Sequence, residues 1–569
     1  MTEALSGGQN RFPTRLLLLS LLAMLGVFPP ETRGESLAGC ALLVALLVLI
    51  CWQKPVPSGA RLWLVLLLAS AWPLLLTAAA PGSGLEPLVL FFLAGAAGVH
   101  AAVRGTRWSR EAPWVLAAAG AVVAMHGISQ VLWGLEADAA WVEVASGVPD
   151  RELVLARLRE GRAFAAFATP AALGAYLALV LPVTLGLAAG RRGRLRLLLL
   201  ALAGIQVVGI LCSASGTAVA ALLGAGLLAL GMRRFRWRTL GASAVLALLL
   251  VAGVIGMRGT RVLDLTRLDS PFRLRAGNFR VAGEVIQEHP WVGVGPGGFG
   301  EVFPRYRREG DNEARHVHNL PLEMAAEIGI VPGTVVSLLF FTLFLGPLIR
   351  SRQPETPWRQ GLGVGLAAFA LHNLVDFTAY FPSILWTAAL GRALLHEHAP
   401  SRERETAPAH RLLGGIVLAG SLVAAALGVL SGLSWNARYA GRHAAASGEI
   451  PLALSLSRRS VRLAPWDVDA RLFLTQAILD SELPGIQGRE ETLRRALSHA
   501  DRAVALSPVR SSGRAVRSRV RAGLGDTPGA YTDMYQAARH YPIKTEYARL
   551  RDDLEGRLPD RRLPEGRGP

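Results

Sequence analysis

Apolar stretches of about 20 residues recur through most of the first 435 positions, the length a helix needs to cross the hydrocarbon core of a bilayer. Backbone polar groups inside hydrocarbon must be satisfied within the segment, so such runs fold as helices. The pattern predicts spans near 15–29, 36–52, 61–80, 85–103, 112–134, 163–189, 195–213, 215–232, 239–257, 323–349, 360–378, 380–396 and 411–434. The first run is short and follows Arg11 and Arg15, as a signal peptide would. Pro29-Pro30-Glu31 follows it in place of a small-residue cleavage pattern, so it is read as a span. Of the 569 residues, 51% are hydrophobic and 18% charged, with a mean hydropathy of +0.36. That balance excludes a disordered chain and an ordinary cytosolic one.

The formal charge of +18 is carried almost wholly by arginine, the only lysines being Lys54 and Lys544. A basic chain suits nucleic acid, but here the excess sits in short connections between spans, so nucleic acid is set aside as a partner. Arginines crowd the N-terminus and every second connection: Arg104, Arg107 and Arg110; Arg191, Arg192, Arg194 and Arg196; Arg233, Arg234, Arg236 and Arg238; Arg350, Arg352 and Arg359; Arg402, Arg404 and Arg411. The positive-inside rule puts these connections and the N-terminus in the cytoplasm. Two long segments, 258–322 and everything after about 435, then fall outside. Cys40, Cys51 and Cys212 lie in or at the ends of apolar runs and read as small core residues.

The last part of the chain, 436–569, is polar and helical in pattern. Ala464-Pro465, Ser507-Pro508 and Tyr541-Pro542 punctuate it, spaced by 43 and then 34 residues, with an amphipathic run before each proline. This pattern resembles tetratricopeptide repeats, helix pairs that stack because no pair buries its apolar face alone; an irregular helical bundle is the alternative. The expected fold is therefore all-α: a polytopic membrane helix bundle of about 13 spans with a large external loop and a C-terminal α-solenoid-like domain. The expected divisions are N-terminal spans over 1–110, a membrane domain over 111–410 that includes the external loop 258–322, a last span over 411–435, and the repeats over 436–569.

Polar residue types concentrate in 258–330. GVGPGGFG, with Gly293, Gly295, Gly297, Gly298 and Gly300, lacks the preceding strand and soluble βαβ context of a nucleotide loop, so it reads as a tight turn. HVHN follows, with His316, His318 and Asn319. An imidazole at a membrane–water boundary can take a proton from a hydroxyl. A His-x-His with Glu323 and Glu327 nearby could also hold a metal, or simply cap the loop. Arg273, Arg275 and Arg280 in the loop, and Arg162 at the mouth of the sixth span, are cations against apolar surface. They meet an anion or snorkel toward headgroups.

In order, Arg275, Phe279, His289-Pro290, Gly293-x-Gly295-x-Gly297-x-Phe299, His318-Asn319, Leu322-Glu323 and Glu327-x-Gly329 resemble the signature of the O-antigen ligase and O-antigen polymerase family over about sixty residues. Arg162-x-x-x-x-Phe167-x-x-Pro170 and His372-x-x-x-Asp376 resemble two further family segments. Thr169 and Ala171 stand where the family has asparagines, and Ser213-Ala214-Ser215-Gly216 lacks its serine-arginine, so no third anion contact is assigned. The resemblance implies a metal-independent glycosyltransferase without cofactor, in the bacterial inner membrane, moving a glycan from a polyprenyl-diphosphate-linked donor to a saccharide acceptor (lipid A–core or growing polysaccharide). It implies that Arg162 and Arg275 meet the diphosphate and His318 the acceptor hydroxyl, with His316, Asn319, His372 and Asp376 as binding or orienting groups. The motif does not separate ligase from polymerase or from protein glycosylation, and the tail repeats offer a surface for a protein partner. A transporter would show inverted repeats and mid-span charge, neither of which is evident. A membrane-anchored repeat scaffold leaves the ordered motif unexplained.

Overall fold

The structure is a computed structural model that describes residues 111–144, 151–232, 271–350, 356–395, 430–481 and 489–558, with single positions 252 and 256. The spans expected at 15–29, 36–52, 61–80 and 85–103, nearly all of those at 239–257 and 411–434, the arginine clusters at 104–110, 233–238 and 402–411, and loop residues 258–270 lie outside the described residues. Among the described residues the fold is helical throughout. Four helices are long and apolar enough to cross a membrane: Ala112–Val144, Pro170–Ala189, Gly193–Ser213 and Ile330–Ile349.

In chain order the first stretch is α1 (Ala112–Ser129), continued by a π-helical turn, Gln130–Gly134, into α2 (Leu135–Val144). Then come α3 (Arg151–Arg159), α4 (Pro170–Ala189), α5 (Gly193–Ser213) and α6 (Gly216–Gly231). The π turn aims Gln130 inward, where its Nε2 donates to Ala165 O at 3.0 Å and its Oε1 accepts from Phe164 N and Ala165 N at 3.1 and 2.6 Å. One buried amide thus satisfies the backbone of the turn before α4. For that reason the helix expected from 163 starts only at Pro170, with Thr169 as its N-cap.

The tightest seam lies between α4 and α11 (Pro357–His372). A Cβ at Gly361, Gly365 or Gly186 would run into the carbonyl of Pro182, Leu179 or Pro357 respectively. These glycines let two backbones touch, which is how apolar helices associate when no hydrophobic force separates them from lipid. The pairings run in opposite directions along the two helices, so the His372 end of α11 comes level with the Pro170 end of α4. Across the bundle, Gln206 on α5 bonds Thr184 of α4 at 3.1 Å and donates to Ala117 O of α1 at 2.9 Å.

Between these helices the external segment folds as α7 (Pro271–Glu288), α8 (Phe299–Tyr306) and α9 (Leu320–Ile328). It has its own core of Val281, Val285, Val294, Phe299, Phe303 and Val317. The span expected over 323–349 is two helices. Gly329, at φ +90°, ends α9, and α10 (Ile330–Arg350) starts afresh. The cause is the glycine turn. Val294 N and Gly295 N donate to Ala326 O and Glu327 O at 3.0 and 2.8 Å, and Ile330 N donates to Pro290 O at 2.8 Å. The turn is zipped to the end of α9 and needs the close approach that only glycine permits at positions 293 and 329. A 3₁₀ turn, Thr378–Tyr380, links α11 to α12 (Pro382–Leu394), so the helix expected over 360–378 stops at His372.

The tail forms α13 (Ile450–Leu463), α14 (Val468–Asp480), α15 (Arg489–Leu506), α16 (Ser511–Gly523), α17 (Thr527–His540) and α18 (Thr545–Gly556). Each packs on the one before. Pro465, Pro508 and Pro542 each stand two residues past a helix end, where a proline cannot extend the helix. Its polar anchor is Asp533, 1% exposed, which takes Arg517 at 2.5 and 2.7 Å and Arg521 at 3.2 Å. The tail also touches the external segment. Arg510 lies 3.3 Å from Glu301 of α8, Arg307 donates to Tyr541 Oη at 2.9 Å, and Val509 packs on the external core.

Candidate functional site

At the end of the bundle shared by α9 and α11, three predicted residues converge. Asp376 lies just beyond α11 and is 2% exposed. Its Oδ1 is 3.2 Å from His318 Nδ1 and its Oδ2 is 3.6 Å from Arg275 Nη2. Phe377 N donates to the same Oδ1 at 3.0 Å. Arg275, from α7, also donates through Nε to Val375 O at 3.0 Å. Burial alone would raise the Asp376 pKa, but the His318 hydrogen bond and the charges of His372, His318 and Arg275 outweigh it and hold the carboxyl far below its ordinary range. His318 sits at φ +64°, a conformation uncommon for a side chain with a Cβ, immediately before α9. This turn aims the ring back at Asp376.

Asn319 and His372 are engaged in holding the turns around this site. Asn319 is the N-cap of α9: its Oδ1 accepts from Leu322 N and its Nδ2 donates to Leu374 O, both at 2.9 Å. Both ends of its amide are occupied in holding His318 against the turn after α11. His372 is 1% exposed, with Nδ1 3.2 Å from Thr378 Oγ1 and Nε2 buried without a hydrogen-bond partner. Asn373, which sequence reasoning missed, ties the same parts together. Its carbonyl accepts from Leu320 N at 2.8 Å and its Oδ1 from Ala379 N at 2.7 Å.

His316 belongs to a second cluster. Its Nδ1 is 2.5 Å from Glu323 Oε1, and its ring stacks on Phe377 at 4.3 Å and leans on Tyr380 at 4.8 Å. Phe377 meets His318 edge-on at 4.8 Å, so one aromatic ring separates the two histidines. Glu323 and Glu327, one turn apart on α9, are both buried, and Tyr380 Oη donates to Glu327 at 3.0 Å. Burial first, then the Glu323 charge, pushes the Glu327 carboxyl up to about 8. For His316, burial opposes protonation but the charge and hydrogen bond of Glu323 prevail, so its pKa is raised. The sequence signal for the acids was their four-residue spacing on a short helix; Tyr380 had no local signal. The two histidines bond different carboxylates, and among the described residues no three His, Cys, Asp or Glu converge as a metal site.

Arg162 stands at the same end of the bundle, in the turn before α4. Its Nε donates to Ser213 O at 3.2 Å and its Nη1 is 3.4 Å from Glu160. Ser213 closes α5, Ala214 turns at φ +46° and Ser215 caps α6, so the segment lacking the family's arginine still makes the bend on which Arg162 rests. Arg280 is structural, with Glu284 and Asp311 each at 2.7 Å. The His289-Pro290 pair ends α7 and leads into the glycine turn.

No curated protein matches the chain. Residues 197–338 match the sequence model of the family described as O-antigen ligase, a stretch that holds Arg275, the glycine turn, both histidines and Asn319 but neither Arg162 nor Asp376. The match spans a quarter of the chain, and over that stretch, with helices apolar enough to cross a membrane, the chain is similar to the O-antigen ligase family.

Proposed function

We propose that the protein transfers a glycan from a polyprenyl diphosphate to a saccharide hydroxyl, as an O-antigen ligase does, at the outer face of the bacterial inner membrane. The observation that carries this reading is Asp376 bonded at once to His318 and Arg275. An ionised, buried carboxylate on Nδ1 fixes the imidazole so that Nε2 is left to accept a proton. In the transfer, the acceptor oxygen bonds to the anomeric carbon as the bond from that carbon to the phosphate oxygen breaks. His318 takes the hydroxyl proton, and the diphosphate leaves with its electron pair. Arg275 and Arg162 supply positive charge where that negative charge grows, in a setting where fixed donors are worth far more than in water. No metal or cofactor has a part in this scheme, and an apolar bundle accommodates the donor's long lipid tail.

In this reading the arginine-rich connections are cytoplasmic and the external segment and tail periplasmic. The tail is a tetratricopeptide-like unit that touches α8 and offers a surface to the acceptor or to a protein partner. The test is reconstitution of the full-length protein with a polyprenyl-diphosphate-linked glycan and lipid A–core in excess chelator. Glycan on lipid A–core that is lost in His318→Ala is expected. Chain extension on the lipid carrier alone would assign a polymerase, and activity restored only by a divalent ion would return His316 and His318 to a metal.

A further inference from the structure

The two carboxylate–histidine pairs differ in what balances their charge. Asp376 receives Arg275 and the Phe377 N–H as well as the Nδ1 of His318, so several donors share its negative charge. Among the described residues, Glu323 meets no arginine and no backbone N–H; besides His316 it has only the Tyr380 hydroxyl that it shares with Glu327. Its side chain is 0% exposed, its Oε1 meets His316 at 2.5 Å, and its Oε2 is buried without a hydrogen-bond partner. The other groups facing His316 are Glu327 on the same helix, Tyr380 and Phe377 from the turn after α11, and Arg315 on its own loop. Glu327 already takes the Tyr380 hydroxyl, and Arg315 is exposed. A buried carboxylate so placed is tolerable only when its one cationic neighbour supplies a proton.

If that proton rests on His316, both ring nitrogens carry hydrogen. If it shifts to Glu323 across the short bond, Nδ1 accepts and Nε2 must still carry one. The His316 side chain is 26% exposed, and Nε2 makes no hydrogen bond to the protein. We propose that His316 is a cationic donor, sharing its Nδ1 proton with Glu323 and presenting Nε2–H to a phosphate oxygen of the donor's diphosphate. The two histidines of HVHN then have opposite tasks: His318 accepts a proton from the acceptor, and His316 donates a hydrogen bond to the leaving group. Glu323 is a positioning residue that keeps His316 charged. The assignment of the ligand rests on the diphosphate-donor reading above; the protonation state does not.

Two measurements on full-length protein in detergent test this. Nitrogen NMR of histidine-labelled protein, with His316→Gln to assign the signal, should show His316 doubly protonated at pH 7 and its titration moved to lower pH in Glu323→Gln. Binding of farnesyl diphosphate should weaken about tenfold in His316→Gln, the loss expected for one charge-assisted hydrogen bond. In wild type the affinity should fall as pH rises through the His316 titration, and in Glu323→Gln that fall should come earlier. This pH comparison carries the binding test even if His316→Gln does not fold. A His316 neutral at pH 7 overturns the proposal, as does wild-type affinity in a folded His316→Gln. Inorganic pyrophosphate competing as well as farnesyl diphosphate supports a diphosphate site as such. Wild-type protein that binds neither compound would sink the donor reading, and with it the assigned ligand, while the nitrogen spectrum would still report the protonation state.

Discussion

His318 reaches Asp376 across 58 positions of sequence, Nδ1 to Oδ1 at 3.2 Å, from a backbone turned to φ +64°. Without the carboxylate, Nδ1 has no fixed partner and the imidazole can present the wrong tautomer to the acceptor. Asp376→Asn should therefore leave the fold in place and lower turnover by about 10²-fold or more, near the low end of the range for general-base losses. His318→Ala should lose about 10²–10⁴-fold in turnover with donor affinity near wild type. Single-turnover transfer and separate donor-binding measurements check both; full activity in His318→Ala would remove the base.

Arg275 should behave differently. Its guanidinium is shared between Val375 O, Pro271 O and Asp376, and its side chain is 22% exposed. Arg275→Ala should weaken donor binding and turnover together. Arg275→Lys should recover only part of either, since one ammonium cannot hold these partners and an incoming phosphate. Affinity for farnesyl diphosphate in the two variants is the readout.

Glu327 makes stability depend on pH. Its pKa is raised from an ordinary 4.5 to about 8, so the folded protein holds a proton that the unfolded chain releases. The associated stability is complete below about pH 4.5 and is lost as pH rises through about 8. Wild-type Tm should fall across that window, whereas Glu327→Gln, which keeps the neutral form, should flatten the profile. Parallel profiles in the two proteins would contradict the assignment.

Gly329→Ala should cost about 3 kcal/mol or more, because a side chain at φ +90° is strained and its Cβ would strike the Trp291 carbonyl. Thermal unfolding in detergent measures the loss. Transfer should fall as well, since Gly329 sets the angle between α9 and α10.

The contact between tail and external segment is testable by cross-linking. Cysteines in place of Arg307 and Tyr541, whose side-chain tips meet at 2.9 Å, should be joined in the full-length protein by a bifunctional thiol cross-linker that spans the length of the two lost side chains, too far for a direct disulfide. Reversing the charge of Glu301, which lies 3.3 Å from Arg510, should slow that reaction. Cysteines at Ser401 and at Ser498, the second exposed on α15, test the proposed orientation. Only the second should react with an impermeant reagent in intact cells.

The helical class and the order of the apolar runs were legible in the sequence because burial in lipid imposes one local rule, an unbroken run of apolar residues. The turn character of GVGPGGFG was legible too, since glycine spacing is local. Where a helix stops was not. Gly329 breaks the run over 323–349 because the Trp291 backbone lies against it, and the helix of α4 waits for Pro170 because Gln130 holds the preceding turn. The sequence also named Arg275, His316 and His318 as candidates, since such residue types are rare beside apolar spans, whereas His372 and Asp376 came only from the family resemblance. Tertiary structure alone decided their partners. Arg275 is 100 positions from the carbonyl it bonds, and His316 and His318, two residues apart, turn to different carboxylates. Partnership across such separations depends on how α7, α9 and α11 pack, and no local spacing carries that information.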